Sequence, residues 1–326
     1  MALDGIPGCE ILLFGGRNYP HPQQRPAWDV YDMAVLLKLR DGQVIARLDY
    51  AGCELDQQVS KSFKAATIRG DHAYTCTNTE VVKIDLRTLT IVERHTHRLF
   101  NDLHHVTQVG DHFFVASTGT DSVLEFDHQF ELVHRYPVAG DEILARFGAD
   151  ADFRAIPNSK PHLAHPNFVE AWDGEIWVTN FDKGRVESLQ SDRHHVVSEH
   201  RIHDGIPALD RIWFTAVNGT VIKLDPKTGA VESTELASMT RTDRLLGWCR
   251  GIVPFSDTDV LVGFSKLRET KARENLKWIG NKFLKQNFAL SLPTRIARYD
   301  LARGTETWRL ELENHGMDAV FSIHVL

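Results

Sequence analysis

The sequence predicts an all-β fold, a single six-bladed β-propeller, and three observations predict it. A unit made of a Gly-Asp or Asp-Gly turn followed by an almost wholly apolar run recurs along the chain, as in Gly110-Asp111-His112-Phe113-Phe114-Val115-Ala116-Ser117. Each copy is trailed by alternating strands, and the copies repeat at about 40 residues, the spacing of four-stranded blades. The last residues, 318–326, form a lone strand with no hairpin partner behind it.

The elements follow in chain order. Residues 9–16, 31–40 and 43–48 read as three strands, the last two joined by the Asp41-Gly42 turn, and this first blade lacks its innermost strand. Placing 318–326 beside 9–16 supplies it and closes the ring, which removes the exposed edges an open sheet would have to protect. Blade cores are then expected near 63–95, 104–137, 168–200, 203–235 and 249–312. Val81 to Asp85, Ser122 to Asp127, Val221 to Asp225 and Arg295 to Asp300 repeat one strand, and Pro226-Lys227-Thr228-Gly229 spells out the turn behind it. Seven blades is the rival count. Residues 1–326 are read as one domain, since closed all-β architectures reach this length around a single ring.

Composition narrows the function classes. Hydrophobic content of 42% and charged content of 25% are those of a soluble globular protein, and a net charge of -7 gives no reason to expect nucleic acid. Residues 1–8 lack the basic start and apolar core of a signal peptide, and no apolar run reaches the length of a membrane span. Cys9, Cys53, Cys76 and Cys249 form no CxxC pair. A cytoplasmic location is the expectation.

In an antiparallel blade, the lead-in to the innermost strand and the hairpin between the second and third strands share one face, here called the top. Stacking the repeats puts Lys64, His104 and His105, His165 and Asn167, His203 and Asp204, Trp248 and Arg250, and His315 and Asp318 on that rim. Three insertions, 17–28, 140–161 and 266–294, project from the same face. In the last, Ala272, Leu276, Ile279 and Phe283 fall at helical spacing among an excess of Lys and Arg, which predicts a helical lid; peripheral membrane contact through 266–288 is the other use of such a helix.

A His-rich rim fits a divalent metal, iron or another transition metal before calcium, held by His105, His165, His203 and His315 with positions open to substrate. His105, His203, Asp204 and Asp318 are the candidate catalytic groups. Lys64, Arg250, Asn167 and Trp248 are the candidate substrate contacts, with Lys64 and Arg250 anchoring an anionic group. Adjacent strand residues face opposite ways, so one of His104 and His105 points into the channel; His105 is preferred, and a one-residue slip exchanges it for His104. No GxSxG, HExxH or phosphate-cradling glycine motif is present.

The repeated strands, among them 110–117 and Trp172-Asp173-Gly174-Glu175-Ile176-Trp177-Val178-Thr179, resemble the blades of the gluconolactonase and strictosidine-synthase-like six-bladed propellers. The resemblance covers most of the chain and consists of blade grammar. It implies a site at the mouth of the central channel, often with a divalent ion, in hydrolases, lactonases and condensing enzymes. Calcium sites of that superfamily are richer in Glu, Asn and Asp than this rim, which is more similar in its histidines to that of iron-binding propellers such as carotenoid oxygenases, whose fold is larger than this chain.

Taken together, the expectation is an enzyme acting on a small organic substrate under a lid on the top face, by oxidative, lyase or hydrolytic chemistry, with a His-bound divalent metal. One alternative is a metal-free scaffold that binds proteins or peptides across the same face. The other is a metal-free hydrolase or lyase that uses His105 or His203 as acid and base.

Overall fold

The computed structural model describes residues 9–21, 24–26, 30–55, 59–148, 150–267 and 291–326, so most of the expected 266–294 helix lies outside the described residues. Among those residues, strands form six antiparallel four-stranded sheets set as blades in a ring, the six-bladed propeller the repeats predict. The first blade combines both ends of the chain: Ala319–Val325 innermost, then Glu10–Asn18, Tyr31–Arg40 and Gln43–Tyr50. The second runs Thr67–Arg69, His72–Cys76, Val81–Asp85, Thr90–His95. The third is Leu103–Val109, His112–Ser117, Ser122–Phe126, Leu132–Pro137, and the fourth Pro166–Trp172, Glu175–Asn180, Arg185–Ser188, His194–Val196. The fifth is Ile202–Ala208, Arg211–Ala216, Thr220–Leu224, Val231–Glu235, and the sixth Trp248–Ser256, Asp259–Ser265, Arg295–Asp300, Thr305–Glu311.

Burial falls off with distance from the axis. In the third blade Phe113 to Ser117 are all buried, whereas every residue of the outer strand Leu132–Pro137 is at least partly exposed. The core is a set of layers between neighbouring blades. Leu12, Phe14 and Leu36 of the first blade pack on Ala73, Val82 and Ile84 of the second, and Trp213 and Val221 of the fifth pack on Cys249, Val260 and Val262 of the sixth. Two faces of apolar side chains are needed at each joint, which is why the second strand of each blade reads as a nearly continuous apolar run.

The repeated Asp has a local cause. Asp85 Oδ1 accepts from the backbone N–H of Arg87 and Thr88, Asp127 from Gln129 and Glu131, and Asp225 from Lys227 and Thr228. In each case the carboxylate satisfies backbone donors that the turn to the outer strand would otherwise leave unpaired. These turns lie on the bottom face and keep it short-looped.

The ring closes where the sequence predicts. Ala319–Val325 pairs antiparallel with Glu10–Asn18, from Ile11 opposite Val325 to Gly16 opposite Ala319, and the register shifts between Phe14 and Gly15. At that shift a Cβ on Gly15 would sit 1.8 Å from the Ala319 carbonyl oxygen, so only glycine permits the approach. Gly15→Ala is therefore expected to lower the free energy of unfolding by about 2–4 kcal/mol, because the clash is with backbone that cannot move aside. Gly304→Ala, at a φ of +63° with open space around its Cβ, is expected to cost about 1 kcal/mol. Urea denaturation of both variants checks this; equal losses would contradict the account of closure.

Candidate functional site

The inner strands carry a common irregularity at the top of the channel. Pairing between first and second strands skips His104 in the third blade, Asn167 in the fourth, Gly205 in the fifth, and Arg250 and Gly251 in the sixth; at the closure it skips Phe321. A bulge leaves its extra residue unpaired and turns its side chain out of the regular alternation. His104, Arg250 and Phe321 are thereby aimed into one cavity at the channel mouth, and Asn167 stands directly behind it.

The cavity has a volume of about 160 Å³. The flanks of all three insertions reach it through Tyr31, through 157–160, and through Lys266 and Leu267. Its described walls are unusually specific in chemistry: the imidazoles of His104, His162, His165 and His203, the rings of Phe181, Trp248 and Phe321, the cations Lys64, Lys160, Arg250 and Lys266, and the carboxylate of Asp102. Lys64 Nζ lies 5.0 Å from the Phe321 ring centroid, and Arg250 Cζ lies 4.3 Å from the same centroid and 5.4 Å from that of Trp248. The face of Phe321 thus helps hold two cations beside the cavity.

Donor and acceptor chemistry fixes the imidazole tautomers. His104 Nδ1 lies 2.8 Å from the Asp102 carbonyl oxygen, which can only accept, so Nδ1 carries the proton and Nε2 the lone pair. Thr118 Oγ1, 2.9 Å from the same Nδ1, donates its own O–H to the Pro166 carbonyl and shares the imidazole N–H as an acceptor. Ser159 Oγ donates to Asn101 Oδ1, so His162 Nε2 must donate to Ser159; His162 Nδ1 is then the acceptor of the weaker 3.4 Å contact with His165 Nδ1. Both His104 and His165 are left with the lone pair on Nε2, and neither Nε2 has a hydrogen-bond partner among the described residues. Their ring centroids are 5.0 Å apart, edge to face. His203 is different: Trp248 Nε1–H donates to its Nε2 at 2.9 Å, which puts its own proton on Nδ1, facing the Asn167 side-chain amide at 2.9 Å.

Burial sets the charge states. It pushes His104 down to about 3, helped by the Lys64 and Arg250 charges and opposed by Asp102. His165 and His203 are held well below the usual imidazole range by burial first, and for His203 the Arg250 and Lys64 charges add to it. Burial raises the Asp102 carboxyl, but charge on His104 as it titrates and on Lys64, whose Nζ is 3.5 Å away, holds it well below the usual carboxylate range. At neutral pH the pocket therefore presents neutral acceptor imidazoles, one carboxylate, and cations in excess.

Of the residues singled out from sequence, Lys64, His165, His203, Trp248 and Arg250 meet at this cavity. Asn167 acts one layer back, as the holder of His203. The choice between His104 and His105 falls to His104. His105 is fully buried and stacked on Phe168 at 3.8 Å, with Nε2 bonded to Thr67 and Nδ1 to the backbone of Val169, so it pins neighbouring blades together instead of lining the cavity. Asp204 is turned inward, accepting from Thr215 Oγ1 and the Gly251 N–H, and burial pushes its carboxyl up to about 6. Asp318 serves the closure, its carboxylate accepting from the Asn18 N–H at 2.7 Å and its own N–H donating to Gly16. His315 ends a short 3-10 turn, Glu313–His315, away from the cavity lining, with its carbonyl bound by Arg47. The four expected metal ligands are thus not brought together, and among the described residues no group of three or more His, Cys, Asp and Glu is placed to hold a metal ion.

Two buried residues that sequence reasoning passed over build the cavity wall. Asn101 Nδ2 donates to the carbonyls of Phe153 and Ile156 at 2.7 and 2.8 Å, and its Oδ1 receives Ser159, so it fastens the 140–161 insertion over the site. Asp121 accepts from the N–H groups of Leu163, Ala164 and His165, which holds His165 at a φ of +58°, a backbone state that costs energy for any residue but glycine. The only sequence cue to either is position, Asn101 just before the inner strand of the third blade and Asp121 just after its apolar second strand. Short polar side chains near strand ends are too common for that cue to single them out.

No protein-family model matches the chain, and no curated protein matches it in sequence. Its fold is similar to that of a protein of unknown function from Bacteroides caccae, at 10% identity and a TM-score of 0.61 over 98% of this chain and 99% of that one. It is also similar to a chain of a nidogen/laminin complex, at 8% identity and a TM-score of 0.57 over 97% and 98% of the two chains. A virginiamycin B lyase from Staphylococcus aureus matches over 76% of this chain and 69% of its own, at 13% identity and a TM-score of 0.45. The first two similarities establish a shared propeller fold and say nothing of chemistry; the third carries no argument. The class is therefore a six-bladed β-propeller, and the rest must come from the cavity.

The buried imidazoles give stability a pH dependence of definite sign. His104 and His105 fall to about 3 and His324 to about 4 in the folded chain, from an ordinary value of 6.5. As pH drops below 6.5 the unfolded chain takes up protons that the folded chain refuses, so folding weakens, by about 2 kcal/mol for each such imidazole between pH 6.5 and 5. The carboxyls of Asp204, Asp318 and Glu170 are raised by burial and act in the opposite sense, but they are outnumbered, because His97, His162, His165, His195 and His203 are lowered as well. Urea unfolding is expected to show a protein several kcal/mol less stable at pH 5 than at pH 7. A flat profile would contradict neutral burial.

Proposed function

We propose that the chain is an enzyme that acts on a small organic anion at the mouth of its channel, by acid–base chemistry with the neutral imidazole of His104 as the base. One observation carries this: the Asp102 carbonyl fixes His104 with its lone pair on Nε2, in a cavity whose cations outnumber its carboxylates. Lys64 is only 6% exposed, which suits a small molecule that enters the cavity better than a protein surface laid across the face.

The cations also give the base a way to gain strength. Lys64 and Arg250 are among the charges that depress the His104 pKa. A bound anion offsets that charge, so the imidazole becomes more basic when substrate arrives and stays unprotonated until then. Asp102 stabilises the imidazolium that forms, its carboxylate oxygen lying 3.8 Å from Nδ1. The proton taken by Nε2 comes from the substrate in a lyase or from an attacking water in a hydrolase, and the imidazolium returns it to the leaving group. This reading belongs with the hydrolytic and condensing chemistry of the gluconolactonase-like propellers that the blades resemble. It routes no step through a metal ion, because His105 and His315 lie away from the cavity that His165 and His203 line.

The test is turnover of small carboxylates, lactones and esters followed by NMR, with variants of two residues. His104→Gln is expected to lower kcat at least 100-fold, in the range that loss of a general base produces, with a rise in KM of no more than about tenfold, while Lys64→Met acts mainly by raising KM. Turnover that survives His104→Gln would overturn the assignment, as would turnover that disappears when bound transition metal is removed.

A further inference from the structure

The walls of the cavity define a ligand more narrowly than its charge does. We infer that the substrate is a one-ring hydroxyaryl carboxylate, a class of ligand that rests on the anion-binding reading above and goes beyond it.

Size comes first. A volume of about 160 Å³ is on the scale of a cavity that takes a single benzene ring, about 150 Å³. Shape and polarisability come second. Phe181 and Trp248 lie nearly parallel, 20° between their planes at 6.1 Å, and Tyr31 meets Phe321 edge to face at 6.1 Å. Aromatic side chains in the lining favour a flat, apolar body over a branched or puckered one.

The polar groups then place the substituents. Lys64 and Arg250, both held against Phe321, receive the carboxylate. A ligand with a carboxylate alone would leave the Nε2 lone pairs of His104 and His165 facing it with nothing to accept. Neutral acceptors in the lining call for a donor on the ligand, and a phenolic hydroxyl supplies one, to His104 Nε2, on the same planar frame. The insertion fastened by Asn101 and the backbone cradle of Asp121 keep His162 and His165 in the arrangement this requires.

The experiment is calorimetric titration of the full-length protein at pH 7 with benzoate, 3- and 4-hydroxybenzoate, phenol, cyclohexanecarboxylate and gluconate. At least one hydroxybenzoate is expected to bind tenfold or more tightly than benzoate, phenol and the two non-aromatic acids. Lys64→Met is expected to remove most of the advantage of the carboxylate over phenol, and His104→Gln most of the advantage of hydroxybenzoate over benzoate, with unchanged circular dichroism showing that each variant is folded. Equal binding of benzoate and hydroxybenzoate, or tighter binding of gluconate, would overturn the hydroxyaryl class while leaving the anion site standing. Failure of every carboxylate to bind the wild-type protein would overturn both.

Discussion

The site depends on how six inner strands end where they converge. Regular pairing would alternate side chains strictly between the two faces of each blade, and no residue at the mouth would look along the axis. Register shifts at the top of the inner strands break that rule where it matters. The residues they release, His104, Arg250 and Phe321, are the proposed base, one of the cations and the ring that steadies both cations. The second blade reaches the same end differently, by starting its inner strand only at Thr67 and leaving Lys64 in an extended lead-in whose N–H is bonded to the Cys76 carbonyl.

Beneath the mouth, polar groups are used for joining. His105 ties Thr67 to Val169 across the blades, Asp204 ties Thr215 to Gly251, and Ser322 binds the Ala66 N–H. Each is buried with its partners satisfied, so these groups fix the relative rotation of blades and not a ligand. The contrast with His104 and His165, one strand-end higher and each with an unbonded Nε2 among the described residues, separates the joining layer from the one that lines the cavity.

This layering explains what the sequence discloses. Blade count, closure by the C-terminal strand and the face bearing the insertions were legible because each is written several times over: the Gly-Asp turn, the apolar second strand, the Asp at the end of the third. The rim was legible as a list, and Lys64, His165, His203, Trp248 and Arg250 do meet there. Which of two neighbours faces inward was not legible, because alternation is the tool for that question and a bulge cancels it; His105 was preferred for being nearer the strand, and the strand is what buries it. Asp204 and Asp318 look like rim carboxylates in one dimension, yet a φ of +66° turns the first into the joint and pairing with the first strand draws the second into the closure. Asn101 and Asp121 act through distant backbone that only the fold brings near.

The central claim is that His104 stands in the cavity as a neutral imidazole protonated at Nδ1, with an unprotonated Nε2. Long-range proton–nitrogen correlation NMR of histidine-labelled protein, assigned with His104→Gln and titrated from pH 8 to 5, reads this directly. The account predicts one protonated nitrogen, Nδ1, and one bare nitrogen, Nε2, throughout that range, with the bare nitrogen moving toward protonation only when an anion is added. An imidazolium signal in the ligand-free protein, or the proton on Nε2, would contradict it.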